Sequence, residues 1–133
     1  SAGYVRRHGL PTSLADLHQG HLAVNWASPN TRRAVPLEFT VGRVVREVSL
    51  PSLVTVNGSD AYAACCEAGL GIAQFPRYRF GDALASGNLV ALLTDMPPPP
   101  MPLQVAYLRQ RQLTLRLRVF IDWVAGLVAT LEA

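Results

Sequence analysis

Four polar residues in a row, Asn57-Gly58-Ser59-Asp60, stand between the apolar triplet Val54-Thr55-Val56 and a run of good helix formers, Ala61 to Ala68. Asn57, Ser59 and Asp60 each offer a side-chain oxygen to the free N–H groups of a starting helix. Those N–H groups, with the partial positive charge of the helix dipole, suit a carboxylate or another anion. This is binding chemistry. The candidates for bond-breaking chemistry are weaker. Cys65 and Cys66, the two cysteines of the chain, are adjacent in the same predicted helix, where side chains about 100° apart are badly placed for a mutual disulfide. His8, His18 and His21 all fall in the first segment, so no histidine stands near in sequence to activate a thiol. Asp60 and Glu67 share a helix face but lie about two turns apart, too far for two carboxylates to hold one proton. No spacing calls for a metal or a cofactor, and neither the thiols nor the carboxylates make a case for an enzyme.

The elements around these residues fix where such a site would lie. Val54 to Val56 suits a buried strand, and Ala61 to Ala68 a helix stopped by Gly69 in a left-handed C′ position, with Leu70 packing back. Gly71 then opens a strand from Ile72 to Phe75. That makes one βαβ unit, and open parallel sheets hold ligands beyond the carboxyl ends of their strands. Asn57 to Ser59 and Phe75 to Pro76 are therefore the places to look for a small molecule.

Upstream, Tyr4 to His8 suits a short helix closed by Gly9, and Ser13 with Asp16 makes a capping box for Leu14 to Leu17. His21 to Ala27 reads as a strand broken by Ser28, Pro29 and Asn30. Leu37 to Val41 and Val44 to Leu50 read as a hairpin around Gly42 and Arg43 at a sheet edge. Downstream come a short helix from Arg77 to Ala85, a strand from Leu89 to Leu93, a stiff spacer at Pro97 to Pro100, and a strand from Leu103 to Leu108. Thr114 caps a last helix whose Leu117, Phe120, Ile121, Val124, Leu127, Val128 and Leu131 cover most of its circumference, so it needs burial on more than one side.

Length and composition bound the reading. With 133 residues, half of them hydrophobic, the chain can bury one domain's core. The most apolar stretch, Leu113 to Leu131, carries Arg116, Arg118 and Asp122 and falls short of the roughly 20 uncharged residues of a membrane span. The N-terminal SAGYVRRHG has no apolar signal core. Net charge is +3, and all 12 basic residues are arginine. They come in scattered pairs, with no single basic block interleaved with aromatics, which does not favour a nucleic-acid surface.

Taken in order, SAGYVRRHGLPTSLADL, VNGSDAYAACCEAGLGIAQFP, ALASGNLVALLTD and PLQVAYLRQRQLTLRLRVFIDWVAGLV resemble the effector-binding domain of LysR-type transcriptional regulators over nearly the whole chain. The resemblance implies an α/β fold, a three-layer doubly wound mixed sheet forming one subdomain of a type 2 periplasmic-binding-protein-like fold. It implies that Ser1 to about Pro102 is the second subdomain, that Leu103 to Leu108 is the returning crossover strand, and that 103–133 belongs with the first subdomain. The helix-turn-helix, the linker helix and the body of the first subdomain are not in this sequence, so the resemblance makes the chain a piece that meets DNA only through parts outside it. The family often shows Asp-Gly-Glu where this chain has Asn57-Gly58-Ser59-Asp60. Peroxide-sensing relatives place cysteines before this helix, unlike Cys65 and Cys66.

The implied function is to bind a small-molecule effector without chemistry, in a cytoplasmic homodimer or higher oligomer. Asn57, Gly58, Ser59 and Asp60 would sit at the helix start. Gln74, Phe75 and Pro76 would lie at the end of the next strand, and Trp26 and Ser28 at the end of the first. Phe75 and Trp26 would supply an aromatic wall unless both simply pack in the core, and Gln74 faces either the crevice or the opposite side. The apolar last helix is expected to pack on this subdomain's own sheet or to exchange with a second copy. The alternative is a lobe of a type 2 periplasmic solute-binding protein, which shares the fold.

Overall fold

The structure, a computed structural model, describes residues 1–102, 104 and 114–131, with side chains through 128. It divides into two compact units, Ser1–Pro99 and Pro100–Ala133.

The first unit is built on a parallel pair. β1 (Ala23–Ala27) and β5 (Ser52–Val56) run side by side with Val24 opposite Val54 and Trp26 opposite Val56. Their carboxyl ends therefore finish level. The second edge of β1 is shared: Ile72 bridges to Ala23 in parallel near its start, and the short β2 (Ala34–Val35) pairs antiparallel with Trp26 and Ala27 near its end. β3 (Leu37–Val41) and β4 (Val44–Val48) form the expected hairpin, in register from Leu37–Val48 to Val41–Val44, as a separate two-stranded sheet. The second strand of the βαβ unit, expected from Ile72 to Phe75, is the main departure from expectation. Only Ile72 bonds as a strand residue, because further along β1 that edge belongs to β2, and the Gln74 N–H donates to the Tyr62 hydroxyl instead.

Helices cover both faces. α1 (Ala2–His8) is capped by the Ser1 side chain, and α2 (Leu14–Leu17) by the expected reciprocal box, Asp16 N–H to Ser13 Oγ at 3.2 Å and Ser13 N–H to Asp16 Oδ2 at 3.0 Å. α3 (Ser59–Glu67) follows β5, and a 3-10 turn (Arg77–Arg79) leads into α4 (Gly81–Ala85). The single helix expected from Arg77 to Ala85 is thus two pieces. Leu89 to Leu93, expected as a strand, is irregular: Leu89 N–H bonds back to the Ala83 carbonyl, and Leu93 has φ of 50°, which ends an extended run.

Successive residues of an extended segment face opposite sides, and the chain uses this at Ile72 and Ala73. Ile72 joins a buried cluster with Tyr4, Leu17, Ala23, Leu37 and Phe39, beside α1, α2 and the hairpin. Ala73 packs on the other cluster, Cys66, Phe80 and Leu89, under α3 and α4. The first unit therefore has layers on both sides of its mixed sheet. Two glycines make this close packing possible. A Cβ on Gly71 would lie 2.6 Å from the Ala23 carbonyl carbon and 2.8 Å from the Leu22 oxygen, so only glycine lets the chain run this near β1. Gly69, with φ of 77°, ends α3 in the expected stop: Leu70 N–H to Cys65 C=O at 3.1 Å and Gly69 N–H to Cys66 C=O at 3.0 Å.

In the second unit, α5 (Leu115–Leu131) begins with its Leu117 N–H bonded to Thr114 Oγ1 at 3.4 Å, as the sequence suggests. Leu115, Val119, Phe120 and Trp123 are more than half exposed, while Leu117, Ile121, Val124 and Val128 are half-buried. Apart from residue 104, the strand expected from Leu103 to Leu108 lies outside the described residues. Among those described, no helix is long and apolar enough to cross a membrane.

Candidate functional site

The start of α3 is open. Gly58, with extended φ and ψ of −112° and 132°, is the N-cap of α3, and no side chain caps the helix. Asn57, Ser59 and Asp60, whose side-chain oxygens are expected to accept from the free N–H groups of this turn, do not do so. With the chain entering through glycine, no side chain stands at the cap position itself. The first backbone bond of the helix is Tyr62 N–H to Gly58 C=O, so the N–H groups of Ser59, Asp60 and Ala61 precede it. Asn57 to Ala61 are all exposed. Asp60 instead pairs with Arg79 of the 3-10 turn. The negative charge at the helix start is thereby matched by a guanidinium, and the dipole's positive end is left as the unbalanced field.

The residues from the other strand ends sit close by. Trp26 lies on the same face of β1 as Val24 and meets Tyr62 of α3 edge-on, with ring centres 5.4 Å apart. Tyr62 in turn touches Phe75 at 4.3 Å, and Phe75 touches Phe80 at 4.4 Å. The expected pair of aromatic residues is therefore joined through a third, buried one. Nothing in the sequence singles out Tyr62, which looks there like one more apolar position of an alanine-rich helix. Burial raises its hydroxyl pKa, against a lowering by the backbone of Gln74.

Gln74 faces the hairpin. Its Oε1 accepts from the Glu38 N–H at 2.8 Å, and its Nε2 donates to the Glu38 carbonyl at 2.6 Å. The side chain thus copies a strand pair and ties the segment after Gly71 to β3. Pro76 opens the 3-10 turn, accepting from the Arg79 N–H at 3.1 Å. Ser28 opens the turn between β1 and β2: its N–H bonds Arg33 C=O, and its carbonyl accepts from Arg32 N–H. The structure thus brings Trp26, Phe75 and the Asn57–Asp60 turn to one end of the sheet. Gln74 serves the scaffold of that end.

A concavity of the same unit lies elsewhere, between the start of α1, the end of α3 and α4, where Arg6, Arg7, Glu67, Asp82 and Ser86 mix both charges. Cys66 is buried, and burial pushes its thiol pKa up, the opposite of what a nucleophile needs. Among the described residues no three of histidine, cysteine, aspartate and glutamate gather as a metal site.

Comparison with known proteins now decides the family. The sequence model described as LysR substrate binding domain matches residues 1–129. The chain belongs to the LysR substrate-binding domain family. Similar proteins include the Escherichia coli K12 "uncharacterized HTH-type transcriptional regulator YhjC", 35% identical over 130 residues, and the Neisseria meningitidis serogroup C (strain 8013) "HTH-type transcriptional regulator CrgA", 25% identical over 125 residues. These alignments cover 96% and 93% of this chain and 42% and 40% of the relatives, so the chain spans about two fifths of their length. The regulatory domain of AphB in Vibrio vulnificus superposes with a TM-score of 0.61 at 24% identity, covering 92% of this chain and 59% of that one. This likeness establishes the fold of the LysR domain, and the relatives are named as transcriptional regulators, not as enzymes.

Proposed function

We propose that this LysR substrate-binding domain supplies one wall of an effector crevice, and that the effector is a small carboxylate seated on the N-terminal turn of α3. One observation carries the reading: the uncapped N–H groups of Ser59, Asp60 and Ala61 lie at the carboxyl ends of the parallel strands β1 and β5. Trp26 and Phe75 form the apolar side of the seat, with Asn57, Ser28 and Pro76 at its rim, while Gln74 holds the segment in place. No bond is made or broken. A ligand that prefers one arrangement of two subdomains shifts their population, and in a cytoplasmic oligomeric regulator that shift reaches DNA through parts of the protein outside this sequence. On the same reading Ser1 to about Pro102 is the second subdomain and 103–133 belongs with the first.

The backbone itself allows a clean test. Ser59 is the first residue of α3, where proline is tolerated, and the extended Gly58 before it is compatible with a following proline. Ser59→Pro therefore removes one N–H donor and leaves the helix. In the full-length regulator, a thermal-shift screen with benzoate, salicylate and succinate is expected to find a stabilising carboxylate, and Ser59→Pro to weaken its binding by about tenfold, the worth of one charge-assisted hydrogen bond. Stabilisation by amines or neutral sugars alone, or an unchanged Kd in Ser59→Pro, overturns the seat.

A further inference from the structure

At the opposite end of the sheet the structure holds a group that the effector reading leaves unused. His21 is 5% exposed, the sole buried residue of polar or charged type among those described. Its Nδ1 lies 3.2 Å from the hydroxyl of Tyr4, which is itself 1% exposed. Tyr4 Oη also accepts the Leu22 N–H at 2.8 Å and lies 3.4 Å from the Leu22 carbonyl. A phenol has one proton to give, and two acceptors compete for it here: His21 Nδ1 and the Leu22 oxygen.

We infer that Tyr4 and His21 form an acid-sensitive latch that fastens α1 to the start of β1. With the imidazole neutral and Nδ1 bare, Tyr4 donates to His21. Protonation places a hydrogen on Nδ1. The imidazole then becomes the donor, Tyr4 Oη becomes its acceptor, and the Tyr4 hydroxyl turns to the Leu22 carbonyl. The proton is taken from solvent, and no covalent bond between heavy atoms changes. Both states keep their hydrogen bonds, so the pair can switch without leaving an orphan. The protonated state pays for a buried charge instead.

The surroundings set the sign. From α1, His8 stacks on Tyr4 with ring centres 4.4 Å apart and stands 6.4 Å from His21, so a second imidazolium there repels the first. Arg7, on the same helix, adds positive charge near the Tyr4 hydroxyl. From α2, Asp16 is the carboxylate that favours the charged form, but its Oδ2 is already engaged by Thr12 and Ser13. Burial, then His8, hold His21 below its ordinary value near 6.5, with Asp16 opposing. A histidine whose folded value is lowered binds fewer protons folded than unfolded. The stability that the neutral pair gives the attachment of α1 is therefore fully present above about pH 6.5 and is lost, through the cost of the buried charge, as pH falls through the lower, folded value. Loosening α1 has a route onward, because Arg7 Nη2 donates to the Gly69 carbonyl at 2.8 Å, at the end of the same α3 whose other end is the proposed seat.

The test reads the latch directly in this chain. The His21 ring, followed by NMR from pH 8 to 4.5, is expected to titrate below 6.5. Hydrogen exchange corrected for intrinsic rates is expected to show the α1 amides opening on acidification before those in the middle of α3. His21→Gln keeps an acceptor for Tyr4 and cannot titrate, so it should abolish this local acid opening. A His21 midpoint at or above 6.5 overturns the inference, and so does acid opening of α1 that persists unchanged in His21→Gln. Should that variant not fold, the wild-type titration still decides.

Discussion

The two ends of α3 are built in opposite ways. Its last turn is fastened from every side: a 6→1 and a 5→2 backbone bond close it, Arg7 reaches over to the Gly69 carbonyl, and two residues later Gly71 lies against the backbone of β1. Its first turn has a glycine cap, exposed residues from Asn57 to Ala61, and one surface ion pair. Polar backbone groups at a helix end need partners. At one end the protein supplies them, and at the other it leaves the donors facing outward, which costs little in water and leaves them for a ligand. Mutations at the fastened end should therefore be felt in stability, and those at the open end in affinity.

The largest effect belongs to Gly71. The atoms that a Cβ would meet within 2.8 Å all belong to the backbone of residues 22–24, so no flexible side chain can yield. Gly71→Ala is expected to cost about 3 kcal/mol through forced backbone displacement, seen as a lowered urea midpoint. Gly81→Ala is the control, since a Cβ there meets nothing within 4 Å and the residue starts α4; it should be neutral or slightly stabilising. Equal behaviour of the two glycines would dissolve the close approach on which the fastened end rests.

Gly69→Ala comes next. Its φ of 77° is strained for any residue with a Cβ, while the atoms nearest that Cβ, Ser1 Oγ and Arg7 Nη2, end flexible side chains that can move. Strain therefore dominates, at about 1–2 kcal/mol. Tyr62→Phe should cost about 1 kcal/mol, because the ring contacts to Trp26 and Phe75 stay and the Gln74 N–H loses its acceptor. Proteolysis or exchange at 73–76 rising in Tyr62→Phe, with the helix itself unaffected, would separate this role from a general loosening.

Much of this contrast was legible in the sequence, and the failures have a common cause. The stop at the fastened end could be read because it depends on local chemistry, glycine at a C′ position, and so could the capping box at Ser13 and Asp16 and the hairpin around Gly42. The order of segments carried the family. Strand partners could not be read in the same way. Leu89 to Leu93 and Ile72 to Phe75 have the composition of strands, yet whether they bond depends on a neighbouring edge, and β2, a two-residue strand without a pattern of its own, takes the edge that the second of them would have used. Side-chain direction was equally hidden: that Gln74 turns to Glu38 and that Tyr62 joins Trp26 to Phe75 are facts of tertiary packing. The cap at Gly58 was missed because Asn57, Ser59 and Asp60 looked like better caps than the glycine between them.

The smallest stability effect, and the sharpest test of the comparison, belongs to Asp60. Its side chain is 93% exposed, and its pair with Arg79 is a surface one, so Asp60→Asn should change stability by no more than about 0.5 kcal/mol. Its effect on affinity should be larger and of opposite sign to that of Arg79→Ala. Removing the carboxylate takes away a negative charge beside the open N–H groups and frees the guanidinium, which favours an incoming carboxylate. Removing the guanidinium leaves Asp60 to repel that ligand. Both differences should shrink as salt is raised, since the charges are exposed. If Asp60→Asn weakens carboxylate binding instead, Asp60 is a contact to the ligand and not its competitor, and the open end of α3 selects for a group that donates hydrogen bonds.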